Sequence, residues 1–201
     1  MRPLTEVWQE MKSFVDGRPA GAPDELWLLQ HPPVFTLGLN ADPSHLLAPG
    51  DIDVVNIDRG GEVTYHGPGQ LVAYVMVDLR RSTLDIRKLV ISLESAVIAT
   101  LAPYGIQARG DRDAPGVYIG QQKCAAVGLR VRRGCTYHGL AVNVAMDLEP
   151  FGRINPCGYS GLEVTDVSAH TPIGTVDAYL PLLERELLAE LGGRREGADS
   201  R

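Results

Sequence analysis

Apolar and polar positions alternate along the chain with a period that switches several times between helical and extended. Near the start, Val7, Met11, Phe14 and Val15 recur at helical spacing and predict an amphipathic helix from about Glu6 to Val15. The Gly/Pro/Ala-rich stretch from Gly17 to Pro23 ends it. Short apolar runs of strand length follow at Glu25 to Gln30, Val34 to Gly38 and Val54 to Ile57, the first two separated by His31-Pro32-Pro33. The turn-rich segment from Asn40 to Asp51 reads as a surface loop. A longer strand is predicted from Leu71 to Leu79. Beyond it Ile86, Leu89, Val90, Leu93, Val97 and Leu101 form one apolar stripe of a helix closed by Pro103 and Gly105.

The second half repeats this grammar. Gly116 to Ile119, Lys123 to Val131 and Tyr137 to Met146 predict three successive strands, with glycine-containing turns at Gly120 and Gly134 suited to hairpins. An irregular segment from Asp147 to Thr165 precedes a last helix, about Val176 to Leu191, whose leucines at 180, 183, 187, 188 and 191 share a face. The tail from Gly192 to Arg201 is charged, rich in small residues and expected to be mobile. No internal repeat is visible. The order of elements predicts a single α/β (α+β) domain over residues 1–191, built on a mixed sheet flanked by helices.

Composition narrows the function classes. A chain of 201 residues, 44% hydrophobic and 22% charged, can bury a core without staples. A formal net charge of −6 argues against sequence-independent binding to nucleic acid or anionic membranes. No secretory leader and no apolar run of about 20 residues is visible, so a cytoplasmic location is expected. The three cysteines, Cys124, Cys135 and Cys157, are odd in number and lack C-x-x-C spacing, which makes a disulfide framework or a zinc site a poor fit.

Four features carry candidate chemistry. Arg59-Gly-Gly-Glu-Val-Thr-Tyr-His-Gly-Pro-Gly-Gln70 is denser in glycine than a hairpin needs, and it matches neither common nucleotide-binding glycine pattern. Its glycines allow backbone N–H groups to approach a ligand, and its Arg and His could polarise a carbonyl or phosphate. Cys157, between Pro156 and Gly158, is a thiol presented on a rigid loop. By contrast, Cys124 lies within an apolar strand and reads as core, and Cys135 reads as a turn residue beside Arg132 and Arg133. Lys123 opens the apolar run. It either snorkels to water or, held in a dry site, becomes the base that a thiol needs, since an ordinary thiol is mostly protonated at neutral pH. Tyr137-His138-Gly139 echoes Tyr65-His66-Gly67, so either histidine could instead pair with a cysteine or serve structure alone. No ligand spacing supports a metal at His66, His138 and Cys157. Spacing alone does not place Lys123 beside Cys157.

Taken in order, the Arg59–Gln70 string, Asp113-Ala-Pro-Gly-Val117, Lys123 with Gly128-Leu-Arg130, His138-Gly-Leu-Ala-Val-Asn143 and Arg153-Ile-Asn-Pro-Cys-Gly158 resemble the lipoate-protein ligase B family. These are octanoyl-acyl carrier protein:protein N-octanoyltransferases. The resemblance spans roughly Leu26 to Val167. It implies the fold of biotin and lipoate ligases and a cysteine–lysine dyad at Cys157 and Lys123. It also implies an acyl-substrate site formed by Arg59, Gly60, Gly61, Glu62, Val63, Thr64, Tyr65 and His66, with Ala126, Val127, Gly128, Gly139, Leu140 and Ala141.

The implied donor is acyl carrier protein, with octanoyl carried on its phosphopantetheine arm. The implied acceptors are apo lipoyl domains of 2-oxoacid dehydrogenase subunits and the glycine cleavage H protein. Neither ATP, a metal nor a permanently bound cofactor is expected. One departure stands beside the proposed base: Cys124 follows Lys123 where related sequences often carry Ile. Rival expectations are an adenylating lipoate or biotin ligase, a Cys–His thioesterase or amidase, and a non-catalytic acyl-binding module. Arg80, Arg81, Arg130, Arg132 and Arg133 form either a docking patch for an acidic carrier or a solvated strand edge.

Overall fold

The computed structural model describes residues 1–82 and 84–192. The first helix, α1, runs Leu4–Gly17 and buries Leu4, Val7, Met11 and Val15 on the predicted stripe. Nine strands follow in chain order: β1 Glu25–Leu29, β2 Val34–Leu37, β3 Asp53–Asn56, β4 Val63–His66, β5 Gln70–Met76, β6 Ala108–Gly110, β7 Gly116–Ile119, β8 Gln122–Arg132 and β9 Cys135–Asn143. Helix α2, Ile86–Leu101, separates β5 from β6, and α3, Val176–Gly192, follows the strands. The Asp85 side chain caps the α2 N-terminus by accepting from the Lys88 N–H at 2.8 Å. Of the tail expected to be mobile, Gly192 closes α3, and 193–201 lie outside the described residues.

The mixed pairing expected of the sheet is located in one place. Six strands, in the order β1-β5-β9-β8-β7-β6, pair antiparallel throughout. In the smaller sheet, β3-β2-β4, β2 pairs parallel with β3 and antiparallel with β4. Two strands were not foreseen. Strand β4 lies inside the glycine-rich string, where Val63–His66 has the β-branched and aromatic residues a strand favours. Strand β6 is only three residues and contains Arg109 and Gly110, too short and polar to leave an apolar pattern.

The core has two layers because β5 is covered on both faces. Leu71, Ala73, Val75 and Val77 pack with Leu89, Leu93 and Val97 of α2 and Tyr179, Leu183 and Leu187 of α3. The alternate residues Val72, Tyr74 and Met76 pack with Val7, Met11 and Val15 of α1. Period-two alternation in a strand buried on both sides explains why β5 reads as an unbroken apolar run. The β8–β9 hairpin closes through Arg133 and Gly134, at φ 50° and 78°, the pair of left-handed residues that a tight two-residue turn requires. Cys135 is therefore not a turn residue: it opens β9 and is 2% exposed.

Candidate active site

Lys123 sits one residue into β8, yet it does not snorkel to water: it is 4% exposed. Its backbone is clamped from outside the sheet, where its N–H donates to the Glu163 carbonyl at 2.9 Å and its carbonyl accepts from the Thr165 N–H at 3.0 Å. Its side chain crosses β7 at Gly116. A Cβ there would lie 2.5 Å from Lys123 Cε and 2.1 Å from the Ala125 carbonyl oxygen, so only glycine leaves the passage open. A register shift between Val117 and Tyr118 accompanies that crossing. The ammonium ends over the Tyr118 ring, 5.3 Å from its centroid, and donates to the Ala114 carbonyl at 3.2 Å and to Cys157 Sγ at 3.0 Å.

Cys157 comes from the opposite kind of structure. It lies in the 3-10 turn Pro156–Gly158 with φ 59° and ψ 18°, and Gly158 follows at φ 77°. Pro156 fixes the approach, and the two left-handed residues after it turn the thiol inward. The turn is held to the segment around His45: the Asn155 N–H donates to the His45 carbonyl at 2.8 Å, and Ile154 bridges Leu46. Lys123 is thus the hydrogen-bond partner of the thiol, and neither His66 nor His138 takes that place.

Both side chains line a cavity of about 540 Å³. Of the residues expected to bind acyl substrate, Arg59, Gly60, Gly61, Glu62, Val63, Thr64, His66, Ala126, Val127, Gly128, Gly139, Leu140 and Ala141 line it as well. Tyr65 does not. It packs between Phe35 and Phe151, at ring separations of 5.4 and 5.6 Å, because the small sheet carries its own apolar cluster there. Gly128 and Gly139 face each other across β8 and β9, and a Cβ at Gly139 would lie 1.9 Å from the Ala73 carbonyl oxygen. The bare backbone at Gly128, where a Cβ would lie 3.0 Å from the Gly60 carbonyl oxygen, lets the Arg59–Gly60 segment lie on the sheet, fixed by the Gly60 N–H donating to the Leu129 carbonyl at 3.0 Å.

Arg59 is buried in the polar lining beside His66 and His138, and Glu62, Arg112, Asp113 and Lys123 line the cavity as well. The Arg59 guanidinium is 8% exposed and gives its hydrogen bonds to the Thr36 hydroxyl, the Thr36 carbonyl and the Gly60 carbonyl, all neutral acceptors. Burial pushes it down to about 10, so it stays charged at neutral pH. His66 donates from Nδ1 to Gln70 Oε1 at 2.7 Å; that direction follows because Gln70 Nε2 is occupied by the Tyr65 carbonyl and Asn143 Oδ1. Burial pushes its imidazole down to about 3. His31 meets the Arg2 carbonyl through Nδ1, so its Nε2 accepts from the Tyr74 hydroxyl at 2.6 Å.

His138, a candidate base or structural residue in the sequence, takes a structural place beside Asp58, which the sequence did not single out. His138 has φ 61° in mid-strand, which throws its ring onto the same side as Tyr137, with the two rings stacked at 4.8 Å. The β5–β9 ladder breaks there and resumes where Asp78 bridges Cys135. The Thr136 hydroxyl repairs the gap, accepting from the Val77 N–H at 3.0 Å and donating to the Val75 carbonyl at 2.8 Å. So turned, His138 Nε2 donates to Asp58 Oδ1 at 3.0 Å, and Trp8 of α1 donates to the same oxygen at 2.7 Å. Tyr137 donates to the other oxygen. Burial alone would raise the Asp58 carboxyl, but these three donors outweigh it and hold it well below the usual range. Asp58 directly precedes Arg59, so this knot ties α1 to the cavity wall.

The other expected groups fall elsewhere. Cys124 points into the core, 0% exposed, with its thiol donating to the Val117 carbonyl at 3.4 Å. Burial pushes it up to about 12. Four of the five clustered arginines are paired with carboxylates: Arg80 with Asp78, Arg81 with Asp24, and both Arg132 and Arg133 with Asp16. Among the described residues no three His, Cys, Asp or Glu side chains gather as a metal site would require. No helix among them is long and apolar enough to cross a membrane.

Residues 4–187 match the family model of the lipoyl protein ligase A/B catalytic domain. The chain belongs to that family. Within it, octanoyltransferases of Yersinia pestis and Yersinia pseudotuberculosis are 53% identical over 192 residues, covering 96% of this chain and 82% of each relative. The motif-based resemblance to octanoyltransferases is therefore borne out. The fold extends to more distant ligases. The bipartite lipoate protein ligase of Thermoplasma acidophilum superposes with a TM-score of 0.78 at 17% identity, over 96% of this chain and 81% of that one. Lipoate-protein ligase A bound with ATP gives 0.76 at 18% identity, over 90% and 78%. Biotin protein ligase of Aquifex aeolicus gives 0.53 at 13%, over 84% and 72%. The expected biotin/lipoate ligase fold is thus the one observed.

Proposed function

We propose that residues 1–191 act as one catalytic domain, in the cytoplasm, that moves an octanoyl group from acyl carrier protein to a lysine of apo lipoyl domains through an acyl thioester on Cys157. The observation that carries this is the 3.0 Å approach of Lys123 Nζ to Cys157 Sγ inside the cavity lined by the acyl-site motifs. The 53% identity to octanoyltransferases supports octanoyl as the group transferred.

The geometry supports the following steps. With the thiol proton held on Lys123 as the ammonium that donates to Sγ, the Cys157 thiolate attacks the thioester carbonyl on the phosphopantetheine arm. A new C–S bond forms on Cys157 as the old one breaks, and the departing carrier thiolate takes its proton from Lys123. The acceptor amine then attacks the acyl-cysteine, the amide C–N bond forms, and Cys157 leaves as thiolate. The amine's surplus proton passes to Lys123, which restores the starting pair. Arg59 adds a buried positive charge beside the neutral imidazoles of His66 and His138, where developing negative charge gains most. No step requires ATP, a metal or a resident cofactor. The acceptors that fit are the lipoyl domains of 2-oxoacid dehydrogenase subunits and the glycine cleavage H protein.

The test is the first half-reaction alone. Purified protein is mixed with octanoyl-acyl carrier protein, without ATP or acceptor, and its intact mass and peptide map are recorded. An octanoyl adduct on Cys157 that apo lipoyl domain discharges is the expected result. No adduct and no transfer unless ATP is added, with pyrophosphate exchange, would overturn it in favour of an adenylating ligase.

A further inference from the structure

Glu94 is an acid on the wrong face of its helix. It stands four residues after Val90 and one after Leu93, within the apolar stripe of α2, and it is 7% exposed. A carboxylate is buried this way only when specific donors meet it. Those donors come from the turn joining β6 to β7. The Gly116 N–H donates to Glu94 Oε1 at 2.8 Å, and the Asp111 backbone N–H also binds the carboxylate. The chain makes room for it at Gly110, where a Cβ would lie 2.4 Å from Glu94 Oε2.

That same turn carries both contacts that aim the Lys123 side chain. Ala114 supplies the carbonyl that its ammonium donates to, and Gly116 supplies the gap its alkyl chain crosses. Asp111 stiffens the turn by accepting from the Asp113 and Ala114 N–H groups and is itself paired with Arg109. Glu94 therefore grips the turn at both ends, Asp111 and Gly116, from the helix beneath. We propose that Glu94 is a positioning residue for the Lys123–Cys157 pair, acting by fixing the turn whose Ala114 carbonyl and Gly116 gap hold the ammonium on the thiol. This rests on the acyl-transfer role proposed for that pair. The charged and titratable groups around the assembly are Lys123 on β8, Arg109, Asp111, Arg112 and Asp113 at the turn, Tyr118 on β7, Arg59 and Glu62 across the cavity, Tyr159 and Cys157 itself. Burial pushes the Glu94 carboxyl up, against the two backbone donors and the Lys123 charge.

The experiment compares wild type, Glu94→Gln, Glu94→Asp and Glu94→Gln in a Lys123→Ala background. Three quantities are read: the rate of octanoyl adduct formation, its KM for octanoyl-acyl carrier protein, and the pH profile of Cys157 alkylation by iodoacetamide. E94Q is expected to slow adduct formation on the order of tenfold with KM unchanged, since the loss is one of alignment. Its alkylation profile moves to higher pH by about half a unit or more as the ammonium loosens from the sulfur. E94D recovers part of the rate. In the Lys123→Ala background E94Q adds little, because both changes break one interaction. Should E94Q not fold, Gly110→Ala displaces the carboxylate without removing it and is expected to move rate and pH profile the same way.

An E94Q protein with wild-type rate and profile overturns the proposal, as does a profile that stays fixed or moves to lower pH. Full additivity with Lys123→Ala also overturns it. A wild-type protein that forms no adduct overturns the acyl-transfer reading instead, so the two failures are told apart.

Discussion

Two thiols flank Lys123, and they could hardly differ more. Cys124 is its neighbour in the chain, and Cys157 is 34 residues away. Yet the neighbour faces the opposite side of the sheet, pressed into the helix-covered core, while the distant thiol meets the ammonium at 3.0 Å. Alternation along a strand separates adjacent side chains by the thickness of the sheet, and a turn pinned at its base brings a remote one back. Environment then completes the division. Cys124 is a thiol held protonated by burial and donates to a carbonyl, and Cys157 is half-buried on a cavity wall. Reactivity follows from position in the fold rather than proximity in sequence.

Breaking that contrast at the thiol has the largest expected effect. Cys157→Ala lowers octanoyl transfer by at least about a thousandfold, whereas Cys124→Ala changes it by no more than about twofold; steady-state transfer to apo lipoyl domain distinguishes them. Lys123→Ala comes next, with adduct formation slowed by about a hundredfold or more and Cys157 still present to accept a slow load. Gly116→Ala should damage both function and fold, because its Cβ has no room between Ala125 and Lys123; urea denaturation is expected to register a loss of about 3 kcal/mol.

Alkylation sharpens the comparison without any mutation. In native protein iodoacetamide labels Cys157 within minutes, and Cys124 is labelled only at denaturant concentrations that unfold the chain. Equal labelling of the two in native protein would dissolve the distinction. The smallest effect is on stability against pH. Folded His66 is held down to about 3, below the ordinary imidazole, so the unfolded chain takes up that proton first as pH falls. Its contribution is intact above about pH 6.5 and declines from there towards pH 3, by at most about 1.4 kcal/mol per pH unit. His31 and His138, also held down by burial, act in the same direction. His66→Gln should flatten the slope in a denaturation series from pH 7 to 4.

Much of this architecture was legible in the chain. The apolar stripe of α2 and the unbroken run of β5 announce themselves by period, and the glycines at 120 and 134 mark hairpins because left-handed turns need them. The ordered motifs pointed to Cys157 and Lys123 together, although spacing could not. What stayed hidden has a common cause. The turn of His138 onto Tyr137's side is a single dihedral change that leaves no mark on hydropathy. Tyr65 sits in a binding-site string but belongs to the core of the small sheet, since alternate strand residues serve different faces. Arg81, Arg132 and Arg133 read as free in the chain because Asp24 and Asp16 are brought to them by tertiary structure, whereas Asp78 lies only two residues from Arg80.

Cys157 shares its left-handed backbone with Arg133 and His138, and in each the strain stands against stability. A side chain at φ 59° costs about 1–2 kcal/mol relative to glycine, set here against the 3.0 Å hydrogen bond from Lys123. The sturdiest variant at this position is therefore an inert one: Cys157→Gly should melt above the wild type and above Cys157→Ala. Under selection for heat resistance alone the thiol would be among the first groups lost, and its presence records a demand that stability does not make.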